Sequence, residues 1–137
     1  MKTIFQSIAL LLFLTLSFSC SNNIEEDCNG CQTDTIGLSK ENVQFSAESN
    51  SITLTTQGSG WWLSEIEFNG NTIDISGLHR IAYQLKIEEP EFTFERKNAN
   101  EIFIQMTKNI TGKERKLHVL LTHMNRGAHI GVFQAAN

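Results

Sequence analysis

After Leu38 the chain settles into a two-residue rhythm that leaves few folds open to it. Val43 and Phe45 alternate with Gln44 and Ser46, Ile52 and Leu54 with Thr53 and Thr55, and Ile73 and Ile75 with Thr72 and Asp74. Further on, Ile81, Tyr83, Leu85 and Ile87 recur every second residue, as do Phe92 and Phe94, then Ile102, Ile104 and Met106. Leu117, Val119 and Leu121 share a face, and Ile130, Val132 and Gln134 close the chain. Side chains alternate across a strand, so each run reads as a strand with one buried face. A helix would need apolar gaps of three and four, and no segment supplies them convincingly. Turn chemistry separates the runs: Gly58-Ser59-Gly60, Asn69-Gly70-Asn71, Ser76-Gly77 and Asn125-Arg126-Gly127. Seven or eight short strands in roughly 100 residues predict an antiparallel β-sandwich. Within it, "RIAYQLKIEE" is read as one strand, ended by Pro90.

The first 37 residues follow other rules. Lys2 precedes an apolar run from Ile8 through Leu14 to Phe18, the charged start and short hydrophobic core of a secretory signal. That run is too short to span a bilayer, which takes roughly 20 apolar residues. The stretch "LSFSC" resembles a bacterial lipobox and so implies cleavage before Cys20, with lipid on that cysteine. Burial at about 0.8 kcal/mol per CH₂ over two or more acyl chains gives on the order of 20 kcal/mol, an effectively permanent hold on the membrane. The expected organisation is a signal peptide over 1–19, a lipidated acidic tether over 20–37 and one domain over 38–137, located in the bacterial cell envelope at the outer membrane.

All three cysteines lie in the N-terminal segment. With Cys20 taken by lipid, Cys28 and Cys31 are read as a small disulfide of the tether in an oxidising compartment. In the chain-entropy model so short a loop contributes about 2 kcal/mol at most. Unpaired or externally paired thiols, and redox chemistry, remain open. Glu25, Glu26 and Asp27 argue against the redox option, because neighbouring acids disfavour a thiolate. A zinc site is not expected, since no further cysteine completes a ligand set.

The net charge of −4, without a basic stripe, argues against nucleic acid as a partner. No nucleophile motif is present, and neither a cofactor nor a metal is expected. Glu65 and Glu67 stand roughly 6 to 7 Å apart on one strand, within the spacing of a glycosidase pair. An outward strand face gives them no cleft, so they read as a solvated pair and the chain as non-catalytic. The pair Trp61-Trp62 is more informative, because strand neighbours point to opposite faces. Parity places Trp62 inward with Ile66 and Phe68, and Trp61 outward beside Glu65 and Glu67. A bulge at Gly60 would reverse the assignment. An outward tryptophan beside carboxylates forms a sugar platform. Trp61, Trp62, Tyr83, Glu65 and Glu67 are therefore the ligand-binding candidates. His123 and His129 flank the turn "MNRGA" and are expected to face each other without a third ligand.

The segment "EIFIQMTKNITGKERKLHVLLTHMNRGAHIGVFQAAN" carries a more specific pattern. Alternating apolar residues lead into Asn109, Thr111, Gly112 and Arg115, then a strand over 117–121, a short turn, and a final strand with Val132 and Gln134-Ala135. This resembles the closing part of a BACON domain, a module of Bacteroidetes secreted and surface proteins. "VQFSAESNSITLTTQGSGWW" resembles the family's first two strands and the tryptophan that follows. The resemblance runs from Leu38 to the end, with 69–100 departing as an inserted hairpin. It implies an immunoglobulin-like sandwich that binds carbohydrate or glycoprotein, while a structural or protein-interaction role within an outer-membrane assembly is equally compatible. The triplet "DTI" resembles the O-glycosylation site of Bacteroides secreted proteins, with Thr35 as acceptor. The triplet Asn109-Ile110-Thr111 is read as strand and turn, not as a glycosylation site.

Overall fold

The computed structural model describes residues 36–137. Cys20, Cys28, Cys31 and Thr35, with the signal and tether assigned around them, lie outside the described residues. Nine strands form among those described: β1 (Asn42–Phe45), β2 (Asn50–Thr55), β3 (Trp62–Phe68), β4 (Asn71–Thr72), β5 (Leu85–Glu88), β6 (Phe92–Arg96), β7 (Glu101–Met106), β8 (Arg115–His123) and β9 (Arg126–Gln134). They make a five-stranded sheet in the order β1-β9-β8-β3-β4 and a four-stranded sheet in the order β2-β7-β6-β5. This is the connectivity of an immunoglobulin-like sandwich. The predicted count of seven or eight is exceeded through the two-residue β4. One pairing departs from the antiparallel expectation: β1 runs parallel to β9, with Val43 opposite Val132. Alternation specifies which face is buried, but not the direction of the neighbouring strand.

The core lies between the sheets, where the alternating sets meet. Ile102, Ile104 and Met106 of β7 and Phe92 and Phe94 of β6 face Leu63 and Ile66 of β3, Leu117, Val119 and Leu121 of β8, and Ile130 and Val132 of β9, all buried. The Phe68 and Phe92 rings meet across the two sheets, 5.2 Å apart and tilted by 36°. Burying a side chain of this size contributes roughly 1.5 to 3 kcal/mol, so the alternation is the main source of the fold's stability.

Two expected strands are shorter than read. Ile73 to Ile75 does not continue β4, and "RIAYQLKIEE" is strand only from Leu85. Residues 73–84 carry the chain from the edge of one sheet, at β4, to the edge of the other, at β5, so the backbone has to turn. Ser76 N–H donates to the Asp74 carboxylate at 2.9 Å, which holds that carboxyl below its ordinary pKa. Tight hydrogen bonds follow, Leu78 N–H to Ile75 O at 3.1 Å and Ala82 N–H to His79 O at 2.9 Å. The alternation of Ile81 and Tyr83 therefore lacks a sheet to serve, and the two side chains stand 61% and 56% exposed.

The turns follow local chemistry. Asn69 and Gly70 form the two-residue β3–β4 hairpin loop with φ of 50° and 81°, a left-handed pair for which Asn-Gly is the preferred sequence. The β8–β9 turn falls one residue earlier than expected. His123 pairs with Arg126, leaving Met124 and Asn125 as the loop and Met124 at φ 52°.

The motif residues of the C-terminal half gather at one end of the sandwich. Asn109 is fully buried; its amide donates to Lys113 O at 2.7 Å and Ala135 O at 2.8 Å, while its Oδ1 accepts from Thr111 N–H and Oγ1–H. Arg115 donates through Nε and Nη2 to Gln134 Oε1 at 2.9 and 2.6 Å, and through Nη2 to Thr107 O. Gln134 Nε2–H donates to Glu48 O at 2.8 Å and Thr107 O at 3.0 Å. Gly112 takes φ 70° in the loop between. These residues form a polar latch that satisfies the loops closing the sandwich, and it explains why these residue types occur at this spacing.

Candidate functional site

The two tryptophans exchange the roles that parity assigned. Trp61 is 2% exposed and sits in the core with Leu63, whereas Trp62 faces outward and is half-buried. The cause is a bulge, placed at Ser64 rather than Gly60. Leu63 pairs with Leu121 and Glu65 with Leu120, so Ser64 is an extra residue in β3. An extra residue shifts the alternation by one step. Counting back from Ile66 and Phe68 across it therefore inverts both indoles.

The five sequence candidates separate into two groups. Trp61 and Tyr83 meet through Arg96, whose Cζ lies 3.6 Å from the centroid of the Trp61 ring and 4.9 Å from that of Tyr83. Arg96 is fully buried and donates to Trp61 O at 2.7 Å, Ser59 O at 2.6 Å, Ala99 O at 3.0 Å and Asn98 O at 3.3 Å. Burial pushes its pKa down, and Tyr83 partly opposes that; the guanidinium nevertheless remains charged. Trp61 Nε1–H donates to Thr56 Oγ1 at 3.1 Å. This group closes an end of the sandwich. The parity of β6 already places Arg96 on the buried face with Phe92 and Phe94, a signal that sequence reading passed over.

The second group lies on the outer face of the five-stranded sheet. Trp62, Glu65 and Glu67 project from β3, opposite Thr122, Leu120 and His118 of β8. Ser64 Oγ–H donates to Thr122 Oγ1 at 2.6 Å, which fixes the bulge that turns Trp62 outward. Beyond β8, His129 of β9 lies opposite Leu120, and Phe133 lies opposite Lys116. The Phe133 ring meets His118 edge-on at 6.4 Å and 87°, with Lys116 Nζ 5.8 Å from its centroid. Gly131 makes room for that ring, since a Cβ there would come within 3.0 Å of it and 3.2 Å of Asn42 Oδ1. The result is an open surface with an indole and a phenyl ring at diagonal positions. Carboxylates and imidazoles lie between them. Over six residues of β8 and two strand spacings, that diagonal is about 22 Å.

The face offers ring surfaces for stacking and side chains that accept or donate hydrogen bonds. Glu65 and Glu67 lie on this open sheet, not across a cleft. His123 and His129 do not face each other: the register pairs His123 with Arg126 and sets His129 against Leu120. The register is displaced by three residues from a pairing of the two histidines, because the hairpin loop has two residues where the motif suggested five. Among the described residues no group of three His, Cys, Asp or Glu side chains could hold a metal ion.

The sequence matches no family model and no curated protein. Solved structures resemble its fold. A protein from Bacteroides thetaiotaomicron determined by NMR superposes with a TM-score of 0.59 at 17% identity, covering 75% of this chain and 82% of that one. A Bacteroides ovatus GH5 xyloglucanase in complex with a XXXG heptasaccharide gives 0.43 at 16% identity, with 71% of this chain matching 17% of the enzyme. Titin M4 gives 0.44 at 10% identity, covering 75% and 92%. At these identities the Bacteroides thetaiotaomicron likeness is one of fold.

Proposed function

We propose that this chain is a non-catalytic lipoprotein of the cell envelope whose BACON-like sandwich binds glycans or glycoproteins on the outer face of its five-stranded sheet. The observation that carries the reading is the placement of Trp62 on the same open face as Glu65 and Glu67. A half-buried indole keeps its ring rigid and leaves one surface for the apolar side of a pyranose, and carboxylates beside it accept hydrogen bonds from hydroxyl groups. Phe133 offers a second ring along the diagonal, so an extended saccharide chain suits the surface better than a single terminal sugar. The exposed acids select against uronate or sulfated chains through like-charge repulsion.

Affinity electrophoresis of the mature chain through gels containing neutral polysaccharides tests the reading. Retardation by at least one neutral glycan, lost in Trp62→Ala and reduced in Phe133→Ala, is the expected result. Mobility that no glycan alters, or retardation that Trp62→Ala leaves intact, would overturn it and favour a protein-interaction role in an envelope assembly.

A further inference from the structure

β1 covers only part of the strand beside it. It pairs with β9 from Asn42, opposite Gly131, to Phe45, opposite Gln134, whereas β9 itself begins at Arg126. The path of the entering chain explains the shortfall. Up to Ser39 it is tied to the other sheet: Gln57 N–H donates to Ile36 O at 3.0 Å, Leu38 bridges Thr56, and Ser39 N–H donates to Thr55 O at 2.9 Å. It reaches β9 only at Glu41, whose carbonyl accepts from Gly131 N–H at 2.8 Å.

That last bond also fixes which backbone groups are spare. Gly131 N–H points away from β8, and the N–H and C=O groups alternate sides along a strand, so those of His129 and Gly127 point the same way. Among the described residues no strand runs beside them. They border an open cleft of about 580 Å³, whose other wall is Ile36, Leu38 and Glu41. Leu38 and Ala128 are half-buried and pack against the core, which gives the cleft an apolar floor. Glu41 stands at the Gly131 end of the bare stretch and Arg126 at the other, roughly 16 Å along the strand. Both are exposed, and among the described residues neither makes an ion pair.

We propose that this cleft takes up an extended segment of another protein as an added strand, which continues the β1–β9 ladder over the stretch that β1 leaves bare. Hydrogen bonds to the Gly127 and His129 backbone supply affinity for any polypeptide, and side chains at alternate positions supply selectivity. An aliphatic residue on the inward side fits against Leu38 and Ala128. At the ends, a carboxylate suits Arg126 and an ammonium suits Glu41, so opposite charges set the direction in which the segment lies. The cleft is at the sheet edge, away from Trp62, and the inference does not depend on the glycan reading.

The test selects binders to the mature chain from a display library of random linear seven-residue peptides, then titrates the enriched peptides while following the backbone amides by NMR. Enriched peptides are expected to carry an aliphatic residue between charges of opposite sign, and to slow the exchange of the Gly127 and His129 amides with solvent. They should bind Gly127→Pro at least tenfold more weakly than Gly127→Ala. Proline removes an outward N–H that β8 does not use, and alanine keeps it while adding the same Cβ. That Cβ meets the tip of the Leu120 side chain at 3.2 Å, which can move aside. Arg126→Glu, at an exposed position, should also weaken binding at least tenfold, and it keeps the test decisive if proline unfolds the domain. No enriched peptide, equal binding to the two Gly127 variants, or binding that Arg126→Glu leaves intact would overturn the inference. Slow exchange of both amides in the free chain would overturn it too, since the cleft would then already hold a second copy or the chain's own N-terminal segment.

Discussion

Arg96 and Arg115 are both buried, both sit at strand ends, and both have their pKa lowered by burial, yet they close opposite ends of the sandwich by different means. Arg96 works alone. Its fork serves backbone carbonyls of 59, 61, 98 and 99 and lies over two aromatic rings. Arg115 belongs to a network in which Thr107 O accepts from both Arg115 and Gln134, and Asn109 secures the neighbouring loop independently. No ion pair involves either arginine among the described residues; the pairs present join surface lysines to Glu48, Glu88 and Glu114. The difference shows that a buried charge can be held by one geometry or by shared, partly redundant partners, and that these should fail differently.

Substitution is the way to break the contrast. Arg96→Met is expected to cost the most, on the order of 4 kcal/mol in urea unfolding, because several buried carbonyls lose their donors together. A gain in stability would instead mean that guanidinium desolvation outweighs those bonds. Asn109→Ala should cost about 2 to 3 kcal/mol, since it takes the amide donor from Ala135 O and the acceptor from Thr111 N–H, leaving Lys113 O with the Thr111 hydroxyl. Arg115→Met should cost less than Asn109→Ala, about 2 kcal/mol, because Gln134 still serves Thr107 O. An Arg115→Met loss equal to that of Arg96→Met would erase the distinction between the two ends. Gly70→Ala sharpens the scale with a backbone effect alone: φ is 81° and no atom stands within 4 Å of the added methyl, so about 1 kcal/mol is expected. Trp62→Ala sits lowest, with under about 1 kcal/mol lost from a half-buried surface ring while glycan retardation disappears.

What the sequence made legible followed from local periodicity. Ile102, Ile104 and Met106, or Leu117, Val119 and Leu121, announce their buried face without knowledge of any partner, and Asn69-Gly70 announces its turn. What remained hidden depended on distant pairing. The Ser64 bulge exists only against β8, with Ser64 and its hydrogen-bond partner Thr122 58 residues apart, so the outward tryptophan could not be chosen by counting along β3. Ile81 and Tyr83 alternate correctly but meet no second strand, and the partnership of β1 with β9 carries no local mark. Of the candidate site, Glu65 and Glu67 were correctly placed on an outward face. Trp61 was exchanged for Trp62, Tyr83 belongs with Arg96, and the contributions of His118 and Phe133 emerged only from the register.

The parallel pairing of β1 with β9 has a mechanical consequence. β1 begins at the end where the chain enters, and β9 finishes at the opposite end, so tension between the two termini slides these strands along each other and loads their ladder in shear. Bonds strained together resist rupture better than bonds peeled in succession. Pulling single molecules from residues 36 and 137 should therefore require more force than pulling from Arg115 and Gln134, which face each other at one end of the β8–β9 hairpin.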